Sequence, residues 1–419
     1  MKTLGKYSFG LGDRFGHQGA AQLDAIIAAS EKGMEITPVW NKSNREHVTI
    51  GTKPEDVRIE ADSVIAKAGF SKDYYVDADH INNDTIEGFI ASSDFFTIDV
   101  AAYIGTQADM KEIDEFMKGI DKYSSFIDIP GTGLQFKTSE FQIKMIAKRY
   151  LFAAIKASEI LGKIENAKGK GNFIIEVSMD EVPDPQTPVE LFFILKMLAH
   201  LNIPVQTFAP KFPGRFNKGV DYVGDPQIFI DEFEKDLRLI DFAIQEFGLP
   251  ENLKISIHSG SDKFAIYPYI GAAIKKLDKG IHIKTAGTTW IEEVIGLALS
   301  GGEGLKFVKE IYYEALGKID ELCAPYSDVI DIKASLLPSK IEVMGWNGRK
   351  FAESLKHVRI NPDYNPDMRQ LIHVAYKLAA HRMDEFYRLL DENQKTISEC
   401  VFDNIYNRHI CRLFGLDRI

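Results

Sequence analysis

The 419-residue sequence predicts an α/β protein whose eight parallel strands close into a (β/α)8 barrel, carrying a helical insertion and a helical C-terminal extension. Three observations lead there. Short β-type runs recur eight times before Ser300. Helical patterns separate most of them, as in "AAQLDAIIAASEKG" and "PVELFFILKMLAHLN". Polar residues crowd the ends of several runs, where such barrels assemble their sites. An open doubly wound sheet shares this alternation, because strand order is not written in the sequence.

The runs are, in order, "YSFGLG" (Tyr7 to Gly12), "EITPVW" (Glu35 to Trp40), "YYVDAD" (Tyr74 to Asp79) and "FFTIDV" (Phe95 to Val100). Then come "FIIEVS" (Phe173 to Ser178), "PVQTFA" (Pro204 to Ala209), "KISIHS" (Lys254 to Ser259) and "IHIKTA" (Ile281 to Ala286). About 70 residues separate the fourth and fifth runs, too many for a structureless loop. "DMKEIDEFMKGIDKY" and "SEFQIKMIAKRYLFAAIKASEILGKI" are amphipathic there, which predicts a helical insertion over about residues 106–170. Residues 1–300 then form the catalytic barrel and 301–419 a helical region that covers it, extends it or mediates assembly into a homo-oligomer.

Composition narrows the function. With 45% hydrophobic residues the chain can bury a large core, and a net charge of -11 without a basic, aromatic-interleaved stretch argues against nucleic acid. No stretch is apolar for the ~18 residues of a membrane helix. The start, "MKTLGKYSFGLGDRFGHQG", lacks the apolar run of a secretory signal. Three cysteines, Cys323, Cys400 and Cys411, have no CxxC spacing and read as reduced thiols, so a cytoplasmic enzyme is expected.

Alternation along the strands selects the candidate site residues. In "KISIHS", Ser256 and His258 share a face opposite Ile255 and Ile257; in "IHIKT", His282 and Lys284 do the same. In "FIIEVSMDE", Glu176 and Ser178 share a face and Asp180 follows in the loop, while "VDADHIN" ends on Asp79 and His80. His80, His258 and His282 can form a facial metal cluster with Asp79, Glu176 or Asp180 nearby, suited to Zn, Mn, Ni or Co. The alternative for each is a hydrogen-bonded histidine in a partly buried strand end. Arg14, Lys263 and Lys284 are the candidate cations for a substrate carboxylate, and Asp262 of the "HSGSD" loop joins them as a substrate contact. Each cation has a structural alternative. Lys284 can neutralise Glu176, Lys263 can be a solvated first-turn residue, and Arg14 can pair with Asp13 at the surface.

Other motifs carry less. "GLGDRFG" places its third glycine one residue too late for a dinucleotide fingerprint, and "GTGLQFKT" has Phe136 where a phosphate loop needs glycine. "KGKGN" reads as a solvated turn. His200, His357, His373, His381 and His409 lie in helical or loop patterns with no evident partners.

Together "YSFGLGDRFG", "ITPVWNKSNREH", "YYVDADHIN", "VSMDEVPDPQTPVELFFIL", "ISIHSGSDKFAIYP" and "HIKTAGTTWIEEVIGLA" resemble the tagaturonate epimerase family of bacterial hexuronate catabolism, over roughly residues 7–300. The resemblance implies a metal-dependent enzyme that interconverts tagaturonate and fructuronate, with the histidines of "DADH", "SIHSG" and "IHIKT" as ligands. The inverted carbon lies two bonds from the ketone, so simple enolisation cannot invert it. Retro-aldol cleavage to an aldehyde and a metal-stabilised enediolate, followed by re-addition to the other aldehyde face, can. Glu176 and Asp180 are then the candidate bases and Asp79 an orienting or ligand carboxylate. The rival readings are another metal-dependent ketose isomerase, epimerase or aldolase, and a noncatalytic sugar-acid sensor on the same fold.

Overall fold

Strands of this chain alternate between residues that face the barrel axis and residues that face the helices, and both faces are buried. The computed structural model describes residues 2–130, 132–285 and 287–419. Its strands are β1 (Tyr7–Gly12), β2 (Thr37–Ser43), β3 (Tyr75–Ile81), β4 (Phe95–Asp99), β5 (Phe126–Ile129), β6 (Leu134–Lys137), β7 (Ile174–Ser178), β8 (Val205–Ala209), β9 (Lys254–His258) and β10 (Ile281–Thr285). Eight of them close a parallel barrel in the order β1-β10-β9-β8-β7-β4-β3-β2. Closure sets Ser8 beside His282 and Gly10 beside Lys284.

The eight predicted runs are the eight barrel strands. The second is displaced: β2 begins at Thr37 and continues through "NKS" to Ser43, where Ser43 caps the helix Asn44–Ile50 in a capping box with Glu46. Ala286, the predicted end of the last run, lies outside the described residues, as does Gly131 of the rejected phosphate loop. The insertion is not purely helical. It contains the helix Met110–Met117 and an antiparallel hairpin, β5 with β6, before the 29-residue helix Glu140–Lys168 returns the chain to β7. "LQFK" of the rejected phosphate loop forms β6.

Helices beyond Ser300 wrap the barrel's flank. Gln394–Phe402 packs on Thr288–Ser300 and on Gly19–Glu31, and Cys411–Phe414 packs on Tyr267–Leu277. Two glycines permit the contact: a Cβ at Gly296 would stand 2.7 Å from Ile397 Cα, and one at Gly271 1.9 Å from Leu413 O. The C-terminal region also reaches the barrel mouth, where the Lys218 amide of the loop after β8 donates to Val329 O at 2.8 Å. No described helix is long and apolar enough to cross a membrane, and all three cysteines are free.

Candidate active site

Inside the barrel the side chains form layers. Leu4, Val39, Tyr75, Phe95 and Ile174 make an apolar floor. Two positions further along β3, β4, β7 and β10 come Asp77, Thr97, Glu176 and Lys284, all buried. Lys284 Nζ lies 2.7 Å from Asp77 Oδ2, 2.8 Å from Asp79 Oδ1, 3.3 Å from Glu176 Oε1 and 2.5 Å from Thr97 Oγ1. Gly10 makes room for it, since a Cβ there would sit 3.0 Å from Lys284 Cγ. Burial alone would lower the Lys284 pKa, but Asp77, Asp79 and Glu176 hold it well above its usual value. In return, and against burial, Lys284 and His258 hold Glu176 well below the carboxylate range. For Asp77 burial wins, and its pKa rises to about 6. Lys284 thus neutralises a polar layer.

Above that layer, at the C-terminal ends of the strands, His80, Asp180 and His258 each offer one donor atom within 4.8 Å of the others. His258 arrives by plain alternation on β9. His80 does not. Continuing Tyr75, Asp77 and Asp79 inward would turn His80 toward the helices, but β3 carries a register shift between Ala78 and Ile81. His80 takes the left-handed conformation, with φ of 50°, and Ile81 goes into the outer core. That backbone costs about 1–2 kcal/mol for a residue with a Cβ, a cost met at functional sites when surrounding contacts fix it.

The donor set fits a divalent cation. His80 Nδ1 lies 3.1 Å from Asp99 Oδ2, leaving Nε2 to ligate. His258 Nε2 lies 2.8 Å from Glu176 Oε1, while its Nδ1, 3.2 Å from Asp180 Oδ2, makes no hydrogen bond and is buried. Asp180 Oδ1 accepts from Ser178 Oγ at 2.5 Å. One nitrogen of each ring is therefore fixed by a carboxylate, the second-sphere pattern of histidine metal sites. Burial opposes protonation of both rings, yet Asp79 and Asp99 hold His80 up to about 10, and Asp180 and Glu176 hold His258 up to about 9. These protons balance a carboxylate excess that a cation would balance instead.

The remaining predicted residues lie elsewhere. His282 is one layer down, its Nδ1 2.8 Å from Ser8 Oγ and its ring 5.3 Å from that of Phe95. It is not in the three-donor group, because its place near the start of β10 leaves it below Lys284. Arg14 is not paired with Asp13 at the surface. It is buried, donates from Nε to Glu46 Oε1 at 2.9 Å and from Nη1 to His373 O at 2.7 Å, and stacks on Tyr376. Asp13 instead accepts from the amides of Phe15 through Gln18. Lys263 is not a solvated first-turn residue, since the helix begins at Tyr267. Its buried Nζ donates to Asn217 O, Val220 O and Ser261 Oγ. Asp262 is buried against Arg369 Nη2 at 2.8 Å and His409 Nε2 at 3.0 Å. His357, His373 and His409, which have no evident partners in the sequence, belong to these networks.

Asp77, Thr97 and Asp99 also line the candidate site, beside the residues singled out above. The sequence carries their signal, since alternation in "VDAD" and "FFTID" puts all three on the faces of Asp79 and of the polar strand end.

Residues 2–413 match the tagaturonate epimerase family. A tagaturonate/fructuronate epimerase of Thermotoga maritima is 27% identical over 421 residues, covering 97% of this chain and 81% of that protein. The glycerol-bound crystal structure of a fructuronate-tagaturonate epimerase from Cohnella laeviribosi superposes with a TM-score of 0.80 at 23% identity, over 99% of this chain and 83% of that one. A probable tagatose 6 phosphate kinase of Sinorhizobium meliloti has a TM-score of 0.52 at 10% identity, over 99% of this chain and 100% of that one. These structural likenesses establish the fold.

Proposed function

This chain belongs to the tagaturonate epimerase family, and from that premise we propose that it is an isomerase interconverting tagaturonate and fructuronate by metal-dependent retro-aldol chemistry. The observation that carries the reading is the convergence of His80, Asp180 and His258 over the Lys284-centred acidic layer at the barrel mouth. Nitrogen and carboxylate donors suit Zn, Mn, Ni or Co. A divalent ion held there supplies Lewis acidity to the ketone end of the substrate.

The protein's own groups do the rest. Asp79, kept ionised by Lys284 against the cost of burial, accepts the proton of the hydroxyl on the carbon to be inverted. The O–H pair released as that proton leaves becomes the second bond of the new aldehyde carbonyl, the adjacent carbon–carbon bond breaks, and its pair moves onto the ketone fragment as an enolate. The aldehyde turns its other face, the bond reforms, and Asp79 returns the proton. Glu176 orients His258, and Asp180 is a ligand rather than a base. These roles exchange those expected from the sequence, because Asp180 lies with the two histidines while Asp79 bonds Lys284.

The test is product analysis. Purified protein stripped with a chelator and reloaded with Zn, Mn, Ni or Co is incubated with tagaturonate in deuterated water. Fructuronate that retains hydrogen at the inverted carbon, formed only after reloading and without bound nicotinamide, is the expected result. Deuterium at that carbon would sink the retro-aldol route. Accumulation of the two fragments alone would make the protein an aldolase.

A further inference from the structure

With Arg14, Lys263 and Lys284 committed to internal partners, the site still lacks a group to receive the negative end of an acidic sugar. Three other cations meet at the barrel mouth. Arg45 comes from the helix after β2, Lys218 from the loop after β8, and Lys377 from the helix Tyr376–Ala380. Their charged ends lie 5.6, 5.8 and 5.3 Å from the centroid of one ring, Tyr326, itself buried. Among the described residues, none of the three has a carboxylate partner within salt-bridge distance or a side-chain hydrogen bond. Arg14 extends the group inward, stacked 4.0 Å from the Tyr376 ring, whose hydroxyl lies 3.2 Å from that of Tyr326.

Like charges gathered on one ring repel unless an anion sits among them. The ring registers the field. Burial should raise the Tyr326 phenol, yet Arg14, the Tyr376 hydrogen bond and Lys218 leave it lowered. In a protein of net charge -11, a local positive focus is also what an anionic substrate needs in order to approach. The cluster adjoins the reaction centre. Lys218 Nζ lies 4.0 Å from where a Cβ would stand on Gly260, two residues past His258. Arg14 is joined through Glu46 to the field of Asp79.

We infer that Lys218, Lys377 and Arg45, arrayed on Tyr326, form the subsite that receives the terminal carboxylate of the sugar acid while its ketone end faces His80, Asp180 and His258. This rests on the reading of the site as one for keto sugar acids. In both tagaturonate and fructuronate the carboxylate terminates the fragment that departs as the aldehyde. Gripping it there would keep that fragment in place while its reacting face turns.

The experiment measures the Kd for tagaturonate and for tagatose, the ketose with a hydroxymethyl in place of the carboxylate, by calorimetry on wild type and on Lys218→Gln, Lys377→Gln and Arg45→Gln. Weakening of tagaturonate binding by about tenfold or more in Lys218→Gln, with tagatose binding unchanged and Lys218→Arg restoring affinity, is expected. Lys306→Gln, on an exposed helix face, controls for net charge. Tagaturonate binding equal to wild type in all three variants, or an equal loss for tagatose, would overturn the inference. Because calorimetry reports binding whether or not the sugar acid is turned over, a protein that binds through these cations but forms no fructuronate would sink the preceding reading and leave this one standing.

Discussion

His258 ends β9 and Asp262 follows four residues later in the next loop, with side chains only 7% and 0% exposed, yet they belong to opposite kinds of network. Around Asp262 the bonding capacity is used internally: Oδ2 takes Arg369, Oδ1 takes His409 and Asn404, and the partners come from the C-terminal helices. Around His258 capacity is left over. The ring's Nδ1 and Glu176 Oε2 are buried without hydrogen bonds, and His80 is held in a strained backbone beside them. Burial and motif proximity do not separate a site from a strut. Convergence of metal-ligating atoms does: His80, Asp180 and His258 offer donors within 4.8 Å of one another, and among the described residues no such group forms around Asp262.

The sharpest way to break this comparison is to remove the three donors. His80→Ala, Asp180→Ala and His258→Ala should each lose bound metal and about ten-thousandfold in kcat/KM, while melting within a few degrees of wild type. Metal analysis with calorimetric melting checks both halves. Full metal occupancy in any two variants would remove the cluster as a ligand set.

Asp262→Ala should do the reverse. It strands buried Arg369 and should destabilise the fold by about 3–5 kcal/mol in denaturant titration. Metal bound per folded molecule should be preserved. Asp262 has its pKa held well below 3.8 by Arg369, His357 and His409 against burial. A depressed carboxylate contributes fully above its unfolded pKa, near 4, and loses that contribution as pH falls toward the folded value. The stability gap between wild type and Asp262→Asn should therefore narrow on acidification below about pH 4. A gap that stays constant would show that Asp262 is not ionised in the fold.

Between these extremes stands Asp99, which touches no proposed metal ligand atom but fixes His80 Nδ1. Asp99→Asn should weaken metal affinity by about 10–100-fold, as second-sphere changes do. An unchanged affinity in competition with a chromogenic chelator would place the orienting burden on the backbone strain at His80 instead.

The barrel was legible because period-two alternation and helical periodicity are local properties, and they placed Glu176, His258 and Lys284 on the inner face correctly. His80 was legible only as a strand-end residue. One extra residue in β3 reverses the face, and no local pattern in "VDADHIN" announces it. The roles of Arg14 and Asp262 were out of reach for a different reason. Arg14 is satisfied by His373, 359 positions away, and Asp262 by Arg369, 107 positions away. Lys263 reads as a helix opener after "HSGSD", but its ammonium binds the Asn217 and Val220 carbonyls of the loop after β8, more than 40 positions away.

The smallest expected effect belongs to His282, which tests whether depth in the barrel separates a ligand from a packing residue. Its Nδ1 bond to Ser8 Oγ is a neutral contact, so His282→Gln should cost about 1 kcal/mol and leave metal stoichiometry unchanged. Burial, only partly countered by Glu176, lowers the His282 pKa to about 3, so the folded ring is neutral near pH 7. The unfolded ring takes its proton near 6.5, and below that pH the unfolded state binds more protons than the fold. Wild type should accordingly lose stability relative to His282→Gln as pH falls from 6.5 toward 3, so its small advantage at pH 8 should shrink or reverse at pH 5.5. Denaturation midpoints at the two pH values measure this. Loss of the metal in His282→Gln, with the fold intact, would instead return His282 to the ligand set and move the reaction centre one layer deeper.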